Sequence, residues 1–306
     1  MFKLLLLLGT FLSLTASPKI VSLMQVRNEE QCIEQCLQAL SFYVDAFVTL
    51  DDNSEDSTKI LVESCCKKLG KEFVILRNEQ SGWQVGKESD NKQKLLDAGR
   101  ALGGTHFVLI DADEMFTANC SDNNFLRKLI LSLQPGESME VCWIQLWRTI
   151  DRYRFDDSKW TNDYKPVIFC DDGVSNFPSY FLHNRSFPVQ GKRFRLQGYE
   201  YGLLHFQFVN WQNLLEKQAW YRCLERIRQP EKSCQEINVR YFPSKDERGL
   251  RTQPSPVYWF KGYEFLDFSV WDKPILWRKK QVLAWFEQYG KGYFKDLDIW
   301  DIDWSF

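Results

Sequence analysis

The stretch Phe107-Val-Leu-Ile110, followed at once by Asp111-Ala-Asp113-Glu114, is the most informative part of this chain. Four consecutive apolar residues after Gly103-Gly-Thr105 predict a buried strand. The strand ends in a cluster of carboxylates, which is costly to bury without a partner. Ligands of open α/β sheets lie beyond the carboxyl ends of the strands, and Mg²⁺ and Mn²⁺ prefer carboxylate and phosphate oxygen. The stretch therefore predicts a metal and a phosphate at one sheet edge, although an isolated Asp-x-Asp also occurs in solvated loops.

The composition describes a folded globular protein. The chain has 306 residues, of which 44% are hydrophobic and 15% aromatic, and this suits one large domain or two small ones. Because the formal net charge is only −2, we expect no nucleic-acid partner bound through a strongly basic face. The nine cysteines show no paired C-x-x-C spacing, and we expect reduced thiols rather than disulfides.

Residues 1–18 form an apolar leader. Lys3 precedes an apolar run, and small residues follow at Thr15-Ala-Ser17, which is the order found in a secretory signal peptide. The run is short for a membrane span. Pro18 lies just after the expected cleavage point, and the first strand begins immediately afterwards. A signal peptide, a membrane-associating leader and a segment packed on the domain therefore all remain open.

The next part of the chain alternates between strand and helix patterns. Apolar runs predict strands over residues 20–26, 46–50, 73–76 and 107–110, with helices over 29–40, 56–69 and 94–102 and a polar loop over 77–92. This order predicts a doubly wound α/β unit whose sheet is mostly parallel. Asp51-Asp52 ends one strand and Asp111 follows another, so both can face one crevice. Neither G-x-G-x-x-G nor G-x-x-x-x-G-K-[ST] occurs, which argues against a dinucleotide enzyme or a P-loop NTPase.

Three segments in this order resemble the family-2 glycosyltransferases of the GT-A fold. They are Val26-Arg-Asn-Glu29, Leu50-Asp-Asp-Asn-Ser-Glu-Asp-Ser-Thr58 and Leu109-Ile-Asp-Ala-Asp-Glu114. The resemblance covers roughly residues 19–125. It implies a Rossmann-like sheet that binds a nucleotide-sugar with UDP or GDP as the nucleotide, and an aromatic-rich second half on the acceptor side.

The resemblance also implies roles for residues of the nucleotide pocket. Asp52 would contact the nucleotide base, and Arg27, Asn28 and Glu29 would line the nucleotide pocket. Asp111 would lie near the ribose and the diphosphate.

The same resemblance implies a metal site. Asp113 of the Asp-x-Asp motif would ligate Mn²⁺ or Mg²⁺, which stabilises the leaving nucleoside diphosphate as a Lewis acid. His205, at the end of an apolar strand, is a second candidate ligand, because many GT-A enzymes place a late histidine on the metal. His183 is a weaker candidate. Lys92 lies where the family often has an Arg-Asn pair, so it is a candidate phosphate contact or simply part of a solvated helix start.

Transfer with inversion requires a base that deprotonates the acceptor hydroxyl. Glu200, shortly before His205, and Asp172 are the candidates. The Gln-x-x-Arg-Trp element of processive synthases is absent from the sequence, which favours transfer of a single sugar.

We divide the chain into the leader 1–18, a nucleotide-sugar-binding half 19–125, an acceptor-side half 126–270 and an aromatic tail 271–306. Helices are expected over residues 211–228 and 275–289. The tail either packs on the domain or presents Arg278-Lys-Lys280 to a membrane surface as a peripheral contact.

The sequence thus predicts a metal-dependent, inverting glycosyltransferase of glycan biosynthesis, with a glycan, lipid or protein as the acceptor. One alternative is a catalytically inactive carbohydrate- or nucleotide-binding relative. Another is a nucleotidyltransferase-type enzyme on a similar sheet. Because sugar nucleotides are mainly cytosolic or pumped into the Golgi, we expect the leader to be retained and the protein to be cytoplasmic or membrane-associated.

Overall fold

The computed structural model describes residues 17–80, 87–178 and 187–305. Most of the leader, the middle of the predicted polar loop and His183 lie outside these described residues. None of the helices within the described ranges is both long enough and apolar enough to span a membrane.

The described residues form one nine-stranded sheet and a separate two-stranded ribbon. The strands of the sheet are β1 Ile20–Val26, β2 Ala46–Asp51, β3 Glu72–Arg77, β4 His106–Leu109, β5 Glu114–Phe116, β6 Ser138–Gln145, β8 Tyr164–Cys170, β9 Arg193–Leu196 and β10 Gly202–His205. The ribbon consists of β7 Arg152–Arg154 and β11 Thr252–Pro254.

The α-helices are α1 Ile33–Leu40, α2 Thr58–Lys68, α3 Lys87–Ala101, α4 Phe125–Ser132, α5 Trp211–Arg228, α6 Cys234–Tyr241 and α7 Leu276–Tyr289. Short 3₁₀ segments cover Ala118–Asn124, Phe242–Ser244, Val257–Trp259, Phe268–Asp272 and Lys291–Phe294.

The strand order of the sheet is β3-β2-β1-β4-β8-β6-β10-β5, with β9 also paired to β6. Strands β1 to β4 are mutually parallel, and β6, β9 and β10 run in the same direction. Only β8 and β5 run against this direction within the sheet as described. The predicted α/β architecture with a mostly parallel sheet is therefore confirmed.

The register of the sheet determines which loops meet. Val26 pairs with Asp51, and Leu23 with Leu109, so β1, β2 and β4 end at one edge. His205, the last residue of β10, reaches the same edge because β10 is parallel to β6. We call this end of the parallel strands the carboxyl edge of the sheet, and the opposite end of the same strands the amino edge.

Two apolar layers cover the sheet, one on each face. Strand β1 is therefore buried on both faces, as its continuous apolar sequence predicts. Ile20 and Met24 pack in the layer that contains α1 and α2. Val21 and Leu23 point the other way, into the layer that contains Leu95 and Leu96 of α3. Helices on both faces make the unit doubly wound.

Helices α5, α6 and α7 share a separate apolar cluster with the end of the tail. Trp220 and Val282 are buried there. The tail thus packs on the rest of the protein, which is the first of the two interpretations given for it from the sequence. All nine cysteines lie in the described ranges as free thiols, and eight of them are buried.

One helix differs from its prediction. Helix α3 begins at Lys87 rather than at residue 94, so the last six residues of the predicted loop are helical. Its first two turns are polar, Lys-Glu-Ser-Asp-Asn-Lys, and therefore lack the apolar period by which a helix is recognised.

Candidate active site

The candidate site lies at the carboxyl edge, where the Asp-x-Asp segment connects β4 to β5. The backbone carbonyl of Asp113 accepts a hydrogen bond of 2.9 Å from the N–H of Phe206, the residue after β10. This bond fixes the segment against the end of β10. As a result, Asp113 and His205, which are distant in the sequence, come together.

Asp113 meets two basic side chains. Its Oδ2 lies 3.6 Å from Nε2 of His205 and 3.3 Å from Nζ of Lys217 on α5. Burial opposes ionisation of Asp113, but Lys217 and His205 outweigh burial and hold the pKa of this carboxyl well below its usual range. Burial likewise opposes the charged form of Lys217, but the Asp113 carboxylate raises the pKa of this lysine. Asp113 and Lys217 therefore form an ion pair at neutral pH.

His205 is held from two sides. Its Nδ1 lies 2.6 Å from Oε1 of Gln145 on β6, and its ring stacks on the indole of Trp143 with centroids 4.3 Å apart. With an amide oxygen as acceptor, Nδ1 carries the proton. Nε2 is then the ring nitrogen that faces Asp113, which is the orientation that a metal-binding histidine needs.

Glu114 holds both the Asp-x-Asp segment and Trp143 in place through hydrogen bonds. Its side chain is fully buried, with Oε2 accepting from the backbone N–H of Asp111 at 3.0 Å and Oε1 accepting from Nε1 of Trp143 at 2.7 Å. The same carboxylate thus shapes the Asp-x-Asp segment and positions the indole on which His205 stacks. We attribute a structural role to Glu114.

The loops after β1 and β2 are joined by side-chain hydrogen bonds. Asn28 has a left-handed backbone, with φ of 53°. Its N–H donates to Oγ of Ser54, and its Oδ1 accepts from the N–H of Glu55. Asp52 is 4% exposed, and its Oδ1 accepts from the amide of Asn78. Asn28 and Asp52 therefore help to build the rim of the crevice, and their contacts with a nucleotide stay predictions.

Arg27 and Glu29 approach the site next to helix α7. The guanidinium of Arg27 lies 5.3 Å from the ring centroid of Trp277, and its buried Nε has no hydrogen-bond partner within the described structure. Oε1 of Glu29 lies 3.6 Å from Nη2 of Arg278, the next residue of α7. Burial raises the pKa of Glu29 to about 7, despite the opposing effect of Arg278.

Asp113, Lys217, Glu29 and Arg278 line one pocket, which Phe206 and Trp271 also border. The two aromatic rings stack with centroids 4.4 Å apart. Arg278 is 8% exposed and faces this pocket, so it is not part of a basic membrane-facing surface with Lys279 and Lys280. That part of the membrane-contact hypothesis is wrong.

The structure separates Asp172 from the site. Strand β8 runs antiparallel to β4, and Cys170 pairs with His106 at the start of β4. Asp172 therefore lies at the amino edge, where its carboxylate accepts hydrogen bonds from the N–H groups of Val174 and Ser175. Asp172 therefore cannot act on a substrate bound at Asp113, a separation that the sequence does not reveal because it does not give the direction of β8.

Glu200 is also at the amino edge. It precedes β10, whose opposite end carries His205, and its side chain is exposed. Five residues of extended chain span about 16 Å, so Glu200 cannot reach a substrate bound at Asp113. Glu200 and Asp172 are thus both separated from the candidate site.

Lys92 lies in the second turn of α3. Its Nζ pairs with Oε1 of Glu88 at 2.9 Å, and its side chain is 13% exposed. A phosphate contact by Lys92 stays a prediction.

Sequence reasoning did not place Lys217 or Arg278 in the site. Helix α5 buries polar residues on several faces, so its pattern does not single out Lys217. Arg278 of α7 was considered only as part of a membrane-facing surface.

The chain was also compared with known proteins. No protein-family model matches it, and neither does any curated protein sequence. Among solved structures, TarS from S. aureus aligns over 66% of this chain and 39% of its own, at 16% identity and a TM-score of 0.41. The 1-349 form of TarS in complex with UDP aligns over 66% of this chain and 63% of its own, at 14% identity and a TM-score of 0.39.

Glucosyl-3-phosphoglycerate synthase from Mycobacterium tuberculosis, in complex with Mn²⁺, UDP and phosphoglyceric acid, aligns over 32% of this chain and 34% of its own. The identity is 25% and the TM-score is 0.24. At such low TM-scores, the function of this chain has to be inferred from its own residues.

Proposed function

We propose that this protein is a glycosyltransferase that transfers one sugar from a nucleotide-sugar, with UDP or GDP as the nucleotide, to an acceptor hydroxyl. The observation that carries the proposal is the pairing of Asp113 with His205 at the carboxyl edge. The acidic segment ends a parallel strand at the position where open α/β sheets bind ligands. Asp52 and the Asn28 loop lie at the ends of the neighbouring strands, which suits a nucleotide that crosses the edge from β2 to β4.

The residues present fit a divalent metal ion. A carboxylate oxygen and an imidazole nitrogen face each other at 3.6 Å, and the second ring nitrogen is oriented by Gln145. Asp113 and His205 would hold the ion, and water or diphosphate oxygens would complete its coordination. The nitrogen ligand favours Mn²⁺ over Mg²⁺, which prefers oxygen. When bound, the ion would supply Lewis-acid stabilisation of the leaving nucleoside diphosphate.

The side chains of the pocket would perform the remaining tasks. Lys217 and Arg278 provide positive charge beside the place where the diphosphate would become the leaving group. Phe206 and Trp271 provide an apolar wall suited to the C–H face of a sugar or acceptor. Gln145 and Trp143 keep the ring of His205 in one orientation.

Glu29 replaces Glu200 and Asp172 as the base to test. It is a carboxylate in the same pocket as Asp113, and burial raises its pKa to about 7. A carboxylate with this pKa can accept a proton from a hydroxyl near neutral pH. Inversion at the anomeric carbon is part of this proposal, because a base that acts on the acceptor suits direct displacement.

The first experiment is a thermal-shift screen of nucleoside diphosphates and nucleotide-sugars, each with and without Mn²⁺. We expect one nucleotide to raise the melting temperature in a Mn²⁺-dependent manner, since a ligand that binds only the folded state stabilises it. Asp113→Asn should abolish the metal-dependent part of this shift. Glu200→Gln is the matched control, because it removes a carboxylate from the amino edge and should leave the shift intact.

A folded wild-type protein that responds to no nucleotide would contradict the proposal and favour an inactive carbohydrate-binding relative. Release of pyrophosphate from a nucleoside triphosphate and a sugar phosphate would instead identify the nucleotidyltransferase-type alternative. A nucleotide shift that persists in Asp113→Asn would move the donor site away from the Asp-x-Asp segment.

A further inference from the structure

Lys217 reaches the atom that a metal ion would need. Its Nζ lies 3.3 Å from Oδ2 of Asp113, the same oxygen that faces Nε2 of His205. Both side chains of the pair are largely buried, at 18% and 21% exposure. An ammonium and a divalent ion cannot both sit against one carboxylate oxygen without strong mutual repulsion.

The position of Lys217 is built into the fold rather than left to a mobile side chain. Five residues separate β10 from helix α5, and the side chain of the N-cap residue Asn210 accepts a hydrogen bond from the N–H of Asn213. Asn213 also binds the segment before α7, since its Oδ1 accepts from the N–H of Ile275. These bonds fix α5 and α7 together above the carboxyl edge.

The ionisable side chains that line the pocket balance in charge once Glu29 is ionised. Among the residues described, they are Glu29, Asp113, Lys217 and Arg278, which are two carboxylates and two cationic groups. A divalent ion alone would add positive charge beside two cations. A diphosphate alone would meet two carboxylates. A metal and a diphosphate together bring charges of opposite sign, and each offsets the repulsion that the other would meet.

We propose that Lys217 is an internal counter-ion that holds the metal site closed until a metal and a diphosphate arrive together. In the empty site, Lys217 neutralises Asp113. With both bound, Asp113 would help to hold the ion, and the ammonium of Lys217 would pair with the diphosphate. Lys217 is then a positioning residue that couples two binding events, and both the metal and the diphosphate rest on the proposed function.

The test is titration of Mn²⁺, followed by its electron paramagnetic resonance signal, without nucleotide and then with UDP or GDP. In the wild type, we expect Mn²⁺ alone to bind weakly. Nucleotide should raise the affinity for Mn²⁺ about tenfold, which is within the usual range for two coupled ligands. Lys217→Met should bind Mn²⁺ alone about tenfold more tightly than the wild type, and nucleotide should enhance its affinity less. Lys217→Arg should behave as the wild type does, because it keeps the charge.

Lys232→Met is the matched control, since it removes a lysine that lies outside the pocket and pairs with Glu225 of α5. It should leave Mn²⁺ binding unchanged. If folded Lys217→Met binds Mn²⁺ alone no more tightly than the wild type, Lys217 does not hold the site closed and the inference is overturned. If Mn²⁺ alone binds as expected but neither UDP nor GDP changes its affinity, the proposed donor fails while the counter-ion role stands.

Discussion

Glu114 couples the two sides of the candidate site through a single buried carboxylate. Each of its oxygens accepts a hydrogen bond from a different N–H group, one of Asp111 and one of Trp143. A carboxamide offers only one acceptor oxygen, so a glutamine at this position would point an N–H₂ group at a donor.

We therefore expect Glu114→Gln to lower the free energy of unfolding by about 1–3 kcal/mol, which is the cost of leaving a buried donor unpaired. Urea denaturation followed by circular dichroism measures this loss. Glu200→Gln makes the same chemical change on an exposed side chain and should cost less than about 0.5 kcal/mol. Equal effects for both substitutions would show that the Glu114 hydrogen bonds do not stabilise the fold.

Glu29 makes stability depend on pH. Burial raises its pKa from the usual 4.5 to about 7, so the folded state binds this proton more tightly than the unfolded state does. The stabilisation that results is fully present below about pH 4.5 and is lost as the pH rises through 7. Glu29→Gln stays uncharged and should escape this loss. Its melting temperature relative to the wild type should thus rise between pH 5 and pH 8, and a difference that stays constant would contradict this assignment.

At the scale of elements, the loops after β1 and β2 are held in place by Asn28. It supplies a left-handed backbone and also accepts a hydrogen bond from Glu55. Asn28→Gly tolerates the backbone conformation and loses only the side-chain bond, at a cost of about 1 kcal/mol. Asn28→Ala adds left-handed strain and should cost about 2 kcal/mol. Urea denaturation of the two variants separates these contributions, and an alanine variant as stable as the glycine variant would exclude strain.

The sequence was a good guide where an element has a simple periodic pattern. Strand β1 and helix α5 have the predicted bounds, because a continuous apolar run and a long helical segment are unambiguous. The start of α3 was missed because its first turns are polar. Short strands such as β5 and β9 have three or four residues, too few for a period to be recognised.

Directions and distant contacts were beyond sequence reasoning. Asp172 was a candidate base because it is a carboxylate, but only the pairing of β8 with β4 reveals that β8 runs antiparallel and places Asp172 at the amino edge. Asp113 and His205 were expected on one metal because of a family resemblance, and the register of β10 brings them together. Lys217 reaches the same oxygen from a helix whose sequence pattern gives no sign of it.

At the scale of the whole molecule, a single sheet joins the two halves into which the sequence was divided. Strand β4 of the first half pairs with β8 of the second, and β5 pairs with β10. The division at residues 125 and 126 stays an interpretation that unfolding can test. Because the sheet continues without interruption from β4 to β8, we expect the two halves to unfold together.

The tryptophans provide a suitable probe. Of the 12 in the chain, only Trp83 lies before residue 126, so fluorescence reports almost entirely on the second half, whereas far-ultraviolet circular dichroism reports on both. The two signals should give coincident urea midpoints. A fluorescence midpoint clearly displaced from the circular dichroism midpoint would indicate two independently stable halves.

The stack of Trp143 on His205 also gives the site an optical signal of its own. The indole lies 4.3 Å from the imidazole, centroid to centroid, and donates its N–H to Glu114. A paramagnetic ion held by His205 would quench an indole at this distance much more strongly than indoles that lie farther from the ion. The emission lost on adding Mn²⁺, compared between the wild type and Trp143→Phe, would thus report occupancy of the site without any label, substrate or knowledge of the sugar.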